Sequence, residues 1–519
     1  MDHIRQGIAF ARYCGRHCVS DRSARTVYLG QHATEELPSR TEASSDCWEF
    51  ELNSIFQGIF TVPPVDEEVW SDLGLKFGPA NVVILNHWRD VQELLEKRGH
   101  IYSSRPANYI ANEIICKNNT HILFAPCGDD WKALRKGAQG LFTPRELAGI
   151  QPIQEAEATQ TVYDMIRDPT RYYEHIKRYT TAVILASVFG QRGEDFDSPN
   201  IQALYDVQNR FTALLEPSAA PPVDGLTFLQ YLPEFVAPWK RKAEKIRRDQ
   251  RALYFRLYSE TKDRMRSGKR TDCFMEKLID DQEKNKLDDE HTTYLGGILM
   301  EAGSDTTSST LLSFLLAMLE NPAALKQAQE EVDRVCGVGS VAYYTPLETR
   351  RRWRDPSMLT QTDTYKGYVF PAGTIFFVNT WAIHRAESEY EKPDVFNPDR
   401  WLAGNTYGTK DPSITSDQQR KSSYGWGAGR RICSGQKMAE TSLKSAMAKM
   451  GWALDFEIEG QKEGGGGRPD VSVETGYDGG FLVCPKKFPI GIQPRSESHA
   501  NVIRRESKAL SKYFNSFAA

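Results

Sequence analysis

One cysteine in the sequence is surrounded by residue types that could bind a reactive cofactor. Cys433 lies within WGAGRRICSG, residues 426–435, and the run that follows, 436–454, has apolar residues at helical spacing. Backbone N–H groups at a helix start, and the positive end of the helix dipole, favour a thiolate over a thiol. Glycines let a large flat ligand approach the backbone, and arginines bind anionic groups. Together these properties predict a haem site in which the cysteine ligates the iron and the arginines bind the propionates.

The residues around this cysteine also form a spaced pattern. Gly429, Arg431, Cys433 and Gly435 read Gly-x-Arg-x-Cys-x-Gly, which should arise by chance in about one of several hundred chains of this length. For a lone cysteine, a buried residue beside a turn is the plain alternative. The pattern resembles the haem-binding loop of the cytochrome P450 family. That resemblance implies that Cys433 is the axial iron ligand of a haem b and that Gly429, Arg431 and Gly435 hold the cofactor.

A second set of candidates lies in the middle of the longest helical pattern, 291–319. It contains Ala302, Gly303, Asp305 and Thr306, and a mid-helix glycine alone costs roughly 1 kcal/mol. Small residues here would let the helix pass close to the haem and leave room for O₂, and an acid beside an alcohol can deliver protons to dioxygen. A structural, hydroxyl-rich segment is the alternative. The stretch resembles the family's Ala-Gly-x-Asp-Thr signature, which implies that Thr306 and Asp305 are catalytic and that Ala302 and Gly303 border the cofactor.

A tryptophan and an arginine form a third candidate pair. Trp131 and Arg135 are four residues apart in a stretch that opens with acidic residues, which is typical of a helix start. Both side chains should therefore lie on one helical face, where the indole N–H and the guanidinium could bind a propionate. Ordinary packing is the alternative for such a pair. Beside the Cys433 loop, the pair resembles the propionate-binding helix of the family.

Three further residues resemble the structural charge cluster of the family. Glu348 and Arg351 fit its Glu-x-x-Arg pair, and Arg400 fits its downstream arginine motif. The resemblance implies one buried carboxylate between two guanidiniums, and removing one partner of such a cluster could cost about 3–5 kcal/mol. A solvated arginine-rich loop is the alternative.

Two regions depart from the family pattern. The connection before Glu348 is short, and arginines occupy much of 349–354, where the family has a compact apolar segment. The region 334–360 is therefore expected to be impaired or remodelled, and the strands at 76–85 also look several residues short. Either this chain is remodelled or segments are missing from it; the sequence favours missing segments.

Composition places few limits on the class of protein. The chain has 519 residues, 40% hydrophobic residues and a net charge of −4, so a large core is available and nothing indicates nucleic-acid binding. Its nine cysteines show no framework spacing, which suits a reducing compartment. The resemblance implies a mainly α fold with a small β region, one large domain around a buried haem. We expect a poorly ordered segment at 1–60, the domain at 61–494 and a polar, disordered or weakly helical tail at 495–519.

The resemblance further implies a monooxygenase that inserts one atom of O₂ into a small organic substrate, with electrons from NADPH through a reductase partner. The sequence of residues 94–106, LLEKRGHIYSSRP, resembles that of fungal microsomal family members that act in secondary metabolism. These members imply the surface of the endoplasmic reticulum, with peripheral membrane contact. The sequence itself shows no transmembrane anchor, which otherwise predicts a cytoplasmic location. Two alternatives remain: a haem-thiolate isomerase or dehydratase, and a non-catalytic haem binder from a degraded gene.

Overall fold

A computed structural model describes residues 74–77, 80–216, 219–336, 356–398, 424–459, 467–473, 475–479, 482–515 and 517. The chain divides into a unit of Met1–Leu73, outside the described residues, and a unit of Gly74–Ala519, which contains everything reported below. The segment 1–60, expected to be poorly ordered, lies outside the described residues, as do Glu348, Arg351 and Arg400.

Helices dominate the described residues, which confirms the predicted fold class. The α-helices are α1 (Trp88–Val91), α2 (Gly99–Tyr102), α3 (Asp129–Gln139), α4 (Pro144–Arg167), α5 (Tyr172–Phe189), α6 (Pro199–Leu214), α7 (Pro238–Arg266), α8 (Phe274–Asp280), α9 (Gln282–Asn285), α10 (Asp289–Glu320), α11 (Pro322–Cys336), α12 (Thr380–Ile383), α13 (Gln436–Ala453) and α14 (Glu497–Asn515). Two π-helical turns, Gln92–Lys97 and Tyr109–Ile115, continue α1 and precede α3.

Local sequence explains where the helices near the site begin. Acidic Asp129 and Asp130 open α3, where negative charge is favourable beside the helix dipole. The hydroxyl of Thr143 accepts the backbone N–H of Glu146 at 3.3 Å, and Pro144 occupies the first position of α4. The predicted helix start ahead of Trp131 is therefore confirmed.

Within the described ranges, the strands form one four-stranded sheet and three two-stranded ones. The larger sheet has the order β1 (Gly74–Phe77), β2 (Ala80–Leu85), β6 (Ile375–Val378), β3 (Ser357–Met358), in which only β2 and β6 are parallel. The small sheets pair β4 (Asp363–Tyr365) with β5 (Tyr368–Phe370), β7 (Leu454–Glu457) with β10 (Gly491–Pro494), and β8 (Tyr477–Asp478) with β9 (Cys484–Pro485). The strands that looked short, β1 and β2, pair with each other over four residues, from Gly74 with Val83 to Phe77 with Ala80.

The long helix α10 lies in the core because it is apolar around most of its circumference. It packs against α5, α7, α13 and α3. Polar side chains fix the layer behind it: the Tyr179 hydroxyl donates to the carbonyl of Ser442 at 2.8 Å, and the Gln154 amide donates to that of Met438 at 2.8 Å. These bonds hold α4 and α5 against α13, and α13 begins three residues after Cys433.

The C-terminal segment differs from the prediction. Residues 497–515 form α14, which packs on α4 and α13, and Ala500 and Ile503 are fully buried. The guanidinium of Arg192 lies 3.5 Å from the ring centre of Phe514 near the end of the helix. The expectation of a disordered or weakly helical tail was therefore wrong, because apolar residues at helical spacing dock the segment on the core.

Candidate haem-binding and active site

The loop that carries Cys433 is a tight turn ahead of α13. The Cys433 N–H donates to the carbonyl of Trp426 at 2.9 Å, and Gly435 occupies the position before the first helical residue. The predicted position of the cysteine at a helix N-terminus is thus confirmed. Cys433 is an exposed, free thiol, so its sulfur is accessible to a ligand.

Gly429 is required by the protein's own backbone. Its φ is +56°, in the left-handed region, and a Cβ there would lie 1.9 Å from the carbonyl oxygen of Leu95. Sequence reasoning predicted that the loop glycines make room for the cofactor. At Gly429 the space for a side chain is taken by the turn after α1, which is a second reason for the glycine, and the cofactor contact stays a prediction. At Gly435 a Cβ would meet only the ring of Phe142, at an ordinary 3.5 Å.

Arg135 of α3 binds the Cys433 loop on both sides of the cysteine. One guanidinium nitrogen donates to the Ser434 hydroxyl at 2.7 Å, and the other donates to the Ile432 carbonyl at 2.6 Å. Burial lowers the pKa of Arg135, and Cys433 acts in the opposite direction. Arg135 therefore fixes the loop on both sides of the cysteine, which suits a sulfur that is held in place to ligate a metal.

Arg431 joins the same loop to Trp131 and to the segment before α3. Its guanidinium lies 4.2 Å from the centre of the Trp131 ring. The same group donates to the carbonyls of Ser103 at 2.8 Å, Ile122 at 3.1 Å and Ala125 at 2.8 Å. Burial lowers the pKa of Arg431 to about 10, and the charge of Arg105 contributes. Trp131, Arg135, Arg431 and Cys433 therefore lie together, although they come from two distant parts of the sequence.

Arg105 is a site residue that sequence reasoning missed. It is 7% exposed, donates to the carbonyls of Leu123 at 2.9 Å and Pro356 at 2.8 Å, and lines a small cavity with Arg431. Its position depends on β3 and the 120–125 segment meeting in space. The only sequence signal was its place in the family-like stretch 94–106.

The charges of this cluster fit the two propionates of a haem. The acceptors that the described residues offer to Arg135 and Arg431 are neutral: backbone carbonyls, the Ser434 hydroxyl and, at 3.7 Å, the sulfur of Cys127. Two half-buried guanidiniums with neutral partners, and Arg105 close by, create a concentrated positive charge. Carboxylates would bind it through charge-assisted hydrogen bonds.

The 302–306 segment of α10 has an opening at Ala302. Ala302 is exposed although its neighbour Glu301 and Ser304 are buried. The Thr306 hydroxyl donates to the Ala302 carbonyl at 2.8 Å, which holds the hydroxyl beside that opening. The helix α10 packs against α3, which carries Arg135, and against α13, which follows Cys433. The 302–306 segment therefore belongs to a helix that contacts both elements next to the Cys433 loop.

Gly303 lies at a close contact between two helices. A Cβ at this position would lie 2.9 Å from Cγ1 of Ile184 on α5. The missing side chain thus allows α10 and α5 to pack closely, and the predicted border with the cofactor stays a prediction.

Asp305 lies near a group of buried polar side chains. The Ser308 and Ser309 hydroxyls donate to its backbone carbonyl at 3.0 and 2.8 Å. Burial raises the pKa of Tyr173 and Tyr205, and the charge of Asp305 adds to both shifts. The acid is therefore close to hydroxyl groups of α5 and α6 as well as to Thr306.

The sequence matches one family model over most of its length. The model described as Cytochrome P450 matches residues 69–348 and 354–464. Only a few residues, within the region expected to be remodelled, separate the two matched parts.

Similar proteins occur in fungi. Cytochrome P450 monooxygenase yanC of Aspergillus niger is 32% identical over 467 residues, covering 84% of this chain and 86% of the relative. Cytochrome P450 monooxygenase patH of Aspergillus clavatus is 31% identical over 463 residues, covering 85% and 86%. A zebrafish cytochrome P450 structure with progesterone has a TM-score of 0.66 at 19% identity, covering 82% of this chain and 98% of that one. The last similarity concerns the fold alone.

Proposed function

This chain belongs to the cytochrome P450 family, and from that premise we propose that it is a haem-dependent monooxygenase of fungal secondary metabolism acting on a small organic substrate. The main support for the proposal is that Arg135 donates hydrogen bonds to the residues on both sides of Cys433. Arg431, in the same loop, contacts the Trp131 ring. A thiolate ligand and a propionate site on one loop are what a haem requires.

The residues that would hold the haem follow from this cluster. Cys433 would ligate the iron, and Trp131, Arg135, Arg431 and Arg105 would bind the propionates. When bound, a haem with a thiolate ligand supplies the activation of O₂ and cleavage of its O–O bond.

Asp305 and Thr306 would supply protons to the reaction. The Thr306 hydroxyl is held at the Ala302 carbonyl, where it can donate into the space beside α10 or be reoriented by a ligand. Asp305 can pass a proton from the polar side chains around it towards that hydroxyl. An isomerase or dehydratase would need neither residue, so the acid–alcohol pair favours the monooxygenase over that alternative.

The overall reaction consumes one reductant per turnover. A substrate R–H, O₂, NADPH and one proton give R–OH, NADP⁺ and water; one oxygen atom enters the new C–O bond and the other leaves as water. A separate NADPH-dependent reductase would deliver the two electrons, as membership of the family implies.

The segment between α6 and α7 supports peripheral contact with a membrane, as on the surface of the endoplasmic reticulum. Phe228, Tyr231 and Phe235 are 64%, 85% and 78% exposed, and exposed Arg241 follows them at the start of α7. Exposed aromatic residues next to basic ones suit the interface of an anionic bilayer. In the described part of the chain, no helix is long and apolar enough to cross a membrane.

The test is a reduced-CO difference spectrum of the expressed chain. A Soret band at the thiolate position is expected, and Cys433→Ser should abolish it. A chain that takes up no haem would contradict the proposal and favour the product of a degraded gene, as the region 334–360 suggests.

A further inference from the structure

The buried carboxyl of Glu301 joins α10 to the helices packed over it. Glu301 is 5% exposed, and its Oε1 accepts a hydrogen bond from the Tyr254 hydroxyl and one from Gln250 Nε2 at 3.2 Å. Both donors belong to α7. No cation within the described ranges contacts this carboxyl, so an ionised Glu301 would be a buried charge with only neutral partners.

The helix α6 meets the same residue through Gln208. Its Nε2 donates to the backbone carbonyl of Glu301 at 3.3 Å. Its Oε1 is buried and has no hydrogen-bond partner among the residues that the structure describes. A buried amide oxygen without a donor is costly, and the protonated form of the Glu301 carboxyl has an O–H to donate, which the ionised form lacks.

The packing around Glu301 is fixed by a glycine. A Cβ at Gly297, one turn earlier on α10, would lie 2.4 Å from the ring of Tyr254. The tyrosine therefore lies flat on the helix at a position that admits only glycine, and its hydroxyl reaches the carboxyl.

The other titratable groups near Glu301 do not neutralise it. Cys116 lies beyond Gln250, with its sulfur 3.8 Å from Oε1 of that amide. Burial raises the pKa of Cys116 and Tyr254, so both stay neutral. Burial raises the pKa of Glu301 to about 7; Tyr254 and Gln250 oppose this shift and the charge of Asp305 adds to it.

We propose that Glu301, in its protonated form, is a clamp that fastens α6 and α7 to α10 and so positions both helices over the 302–306 segment. The carboxyl accepts from Tyr254 and Gln250 and donates to Gln208. The clamp depends on the fold and not on the proposed reaction. A negative result in the haem test would therefore leave this proposal unaffected.

The sign of the pH effect follows from linkage. Glu301 holds its proton more tightly when the helices are closed than when they open to water, where its pKa is the ordinary one. The clamp is therefore complete below about pH 4.5 and weakens as the pH rises to about 7, above which its contribution is lost. Local opening of α6 and α7 should become roughly tenfold more frequent per pH unit in that interval.

Hydrogen–deuterium exchange of the full chain tests this. Protection of α6 and α7 amides, corrected for intrinsic exchange rates, should fall by roughly tenfold between about pH 5.5 and about pH 6.5. Glu301→Gln keeps the hydrogen-bonding shape without an ionisable proton and should make protection independent of pH. Glu244→Gln, on the exposed side of α7, is the matched control and should retain the slope. A wild-type protein without the slope, or a Glu301→Gln variant that keeps it, would overturn the proposal.

A second measurement covers the case in which Glu301→Gln does not fold. Infrared difference spectra of the wild type should show the carbonyl stretch of a protonated carboxyl, lost with a midpoint near the pKa of Glu301, about 7. Tyr254→Phe removes a donor that lowers this pKa, so the midpoint should move to higher pH. A midpoint that Tyr254→Phe leaves unchanged, or the lack of such a band, would exclude the clamp.

Discussion

The guanidinium of Arg431 lies 4.2 Å from the centre of the Trp131 ring, so the Cys433 loop and α3 meet through a cation–π contact. Such a contact is worth roughly 0.5–2 kcal/mol. The same guanidinium also donates to three carbonyls of the segment before α3. One side chain thus orders the loop, the indole and the segment that would surround the propionates.

Arg431→Lys should weaken haem binding more than it weakens the fold. Lysine keeps the charge but lacks the planar fork that reaches three carbonyls and stacks on the indole. We expect haem affinity to fall by roughly tenfold, about 1.4 kcal/mol, measured as haem retained per chain by the pyridine haemochromogen assay. Arg430→Lys, at the exposed neighbouring position, is the control and should keep full occupancy. Equal haem content in both variants would argue against the role of Arg431.

Gly429→Ala should destabilise the whole chain. The new Cβ would lie 1.9 Å from the Leu95 carbonyl oxygen, a backbone atom that cannot rotate away, at a φ of +56°. A loss of about 3 kcal/mol is expected, read from the denaturation midpoint. Gly451→Ala, inside α13 with no atom within 4 Å of the new Cβ, should be neutral or slightly stabilising. If Gly429→Ala were equally harmless, the close approach of the loop to Leu95 would be wrong.

Thr306→Ala should separate electron use from product formation. The variant keeps Cys433 and the arginines, so its reduced-CO band should stay normal. If Thr306 has the proposed role, the variant would lack the proton-donating hydroxyl beside Ala302, and coupled turnover should fall by roughly tenfold or more. The measurement is the share of NADPH oxidation recovered as hydrogen peroxide, with a reductase supplied. Thr310→Ala, one turn along α10, removes a comparable hydroxyl bonded at 2.9 Å to the Thr306 carbonyl and should leave that share unchanged.

Sequence alone located the parts of the site that are continuous in the chain. The position of Cys433 before α13 and the start of α3 ahead of Trp131 depend on local signals, namely apolar periodicity, acidic residues and glycines. The contacts between the Cys433 loop and α3 could not be predicted from such local signals. Arg105 was missed because its partners, Leu123 and Pro356, come near it only through tertiary folding.

Sequence could show that a residue is small but not which neighbour requires it to be so. At Gly429 the neighbour that excludes a side chain is the Leu95 carbonyl, which the sequence does not reveal. The prediction for the C-terminal segment was wrong for a related reason. Its buried residues, including Ile503 and Phe514, have helical spacing, but their polar surroundings concealed it and only docking on α4 orders them.

Gly303→Ala should act through the contact of α10 with α5. Its Cβ would come within 2.9 Å of Ile184 Cγ1 and 3.1 Å of Cδ1, so the Ile184 side chain or one of the two helices must shift. Overpacking of this kind costs about 1–3 kcal/mol. Because the conflict is with one flexible side chain, Ile184→Ala should relieve it, and a double-mutant cycle measured by denaturation should show a coupling energy of at least about 1 kcal/mol. The haem content of the double variant should match that of Ile184→Ala alone. Strictly additive effects, together with lost haem in both Gly303 variants, would return Gly303 to the cofactor face.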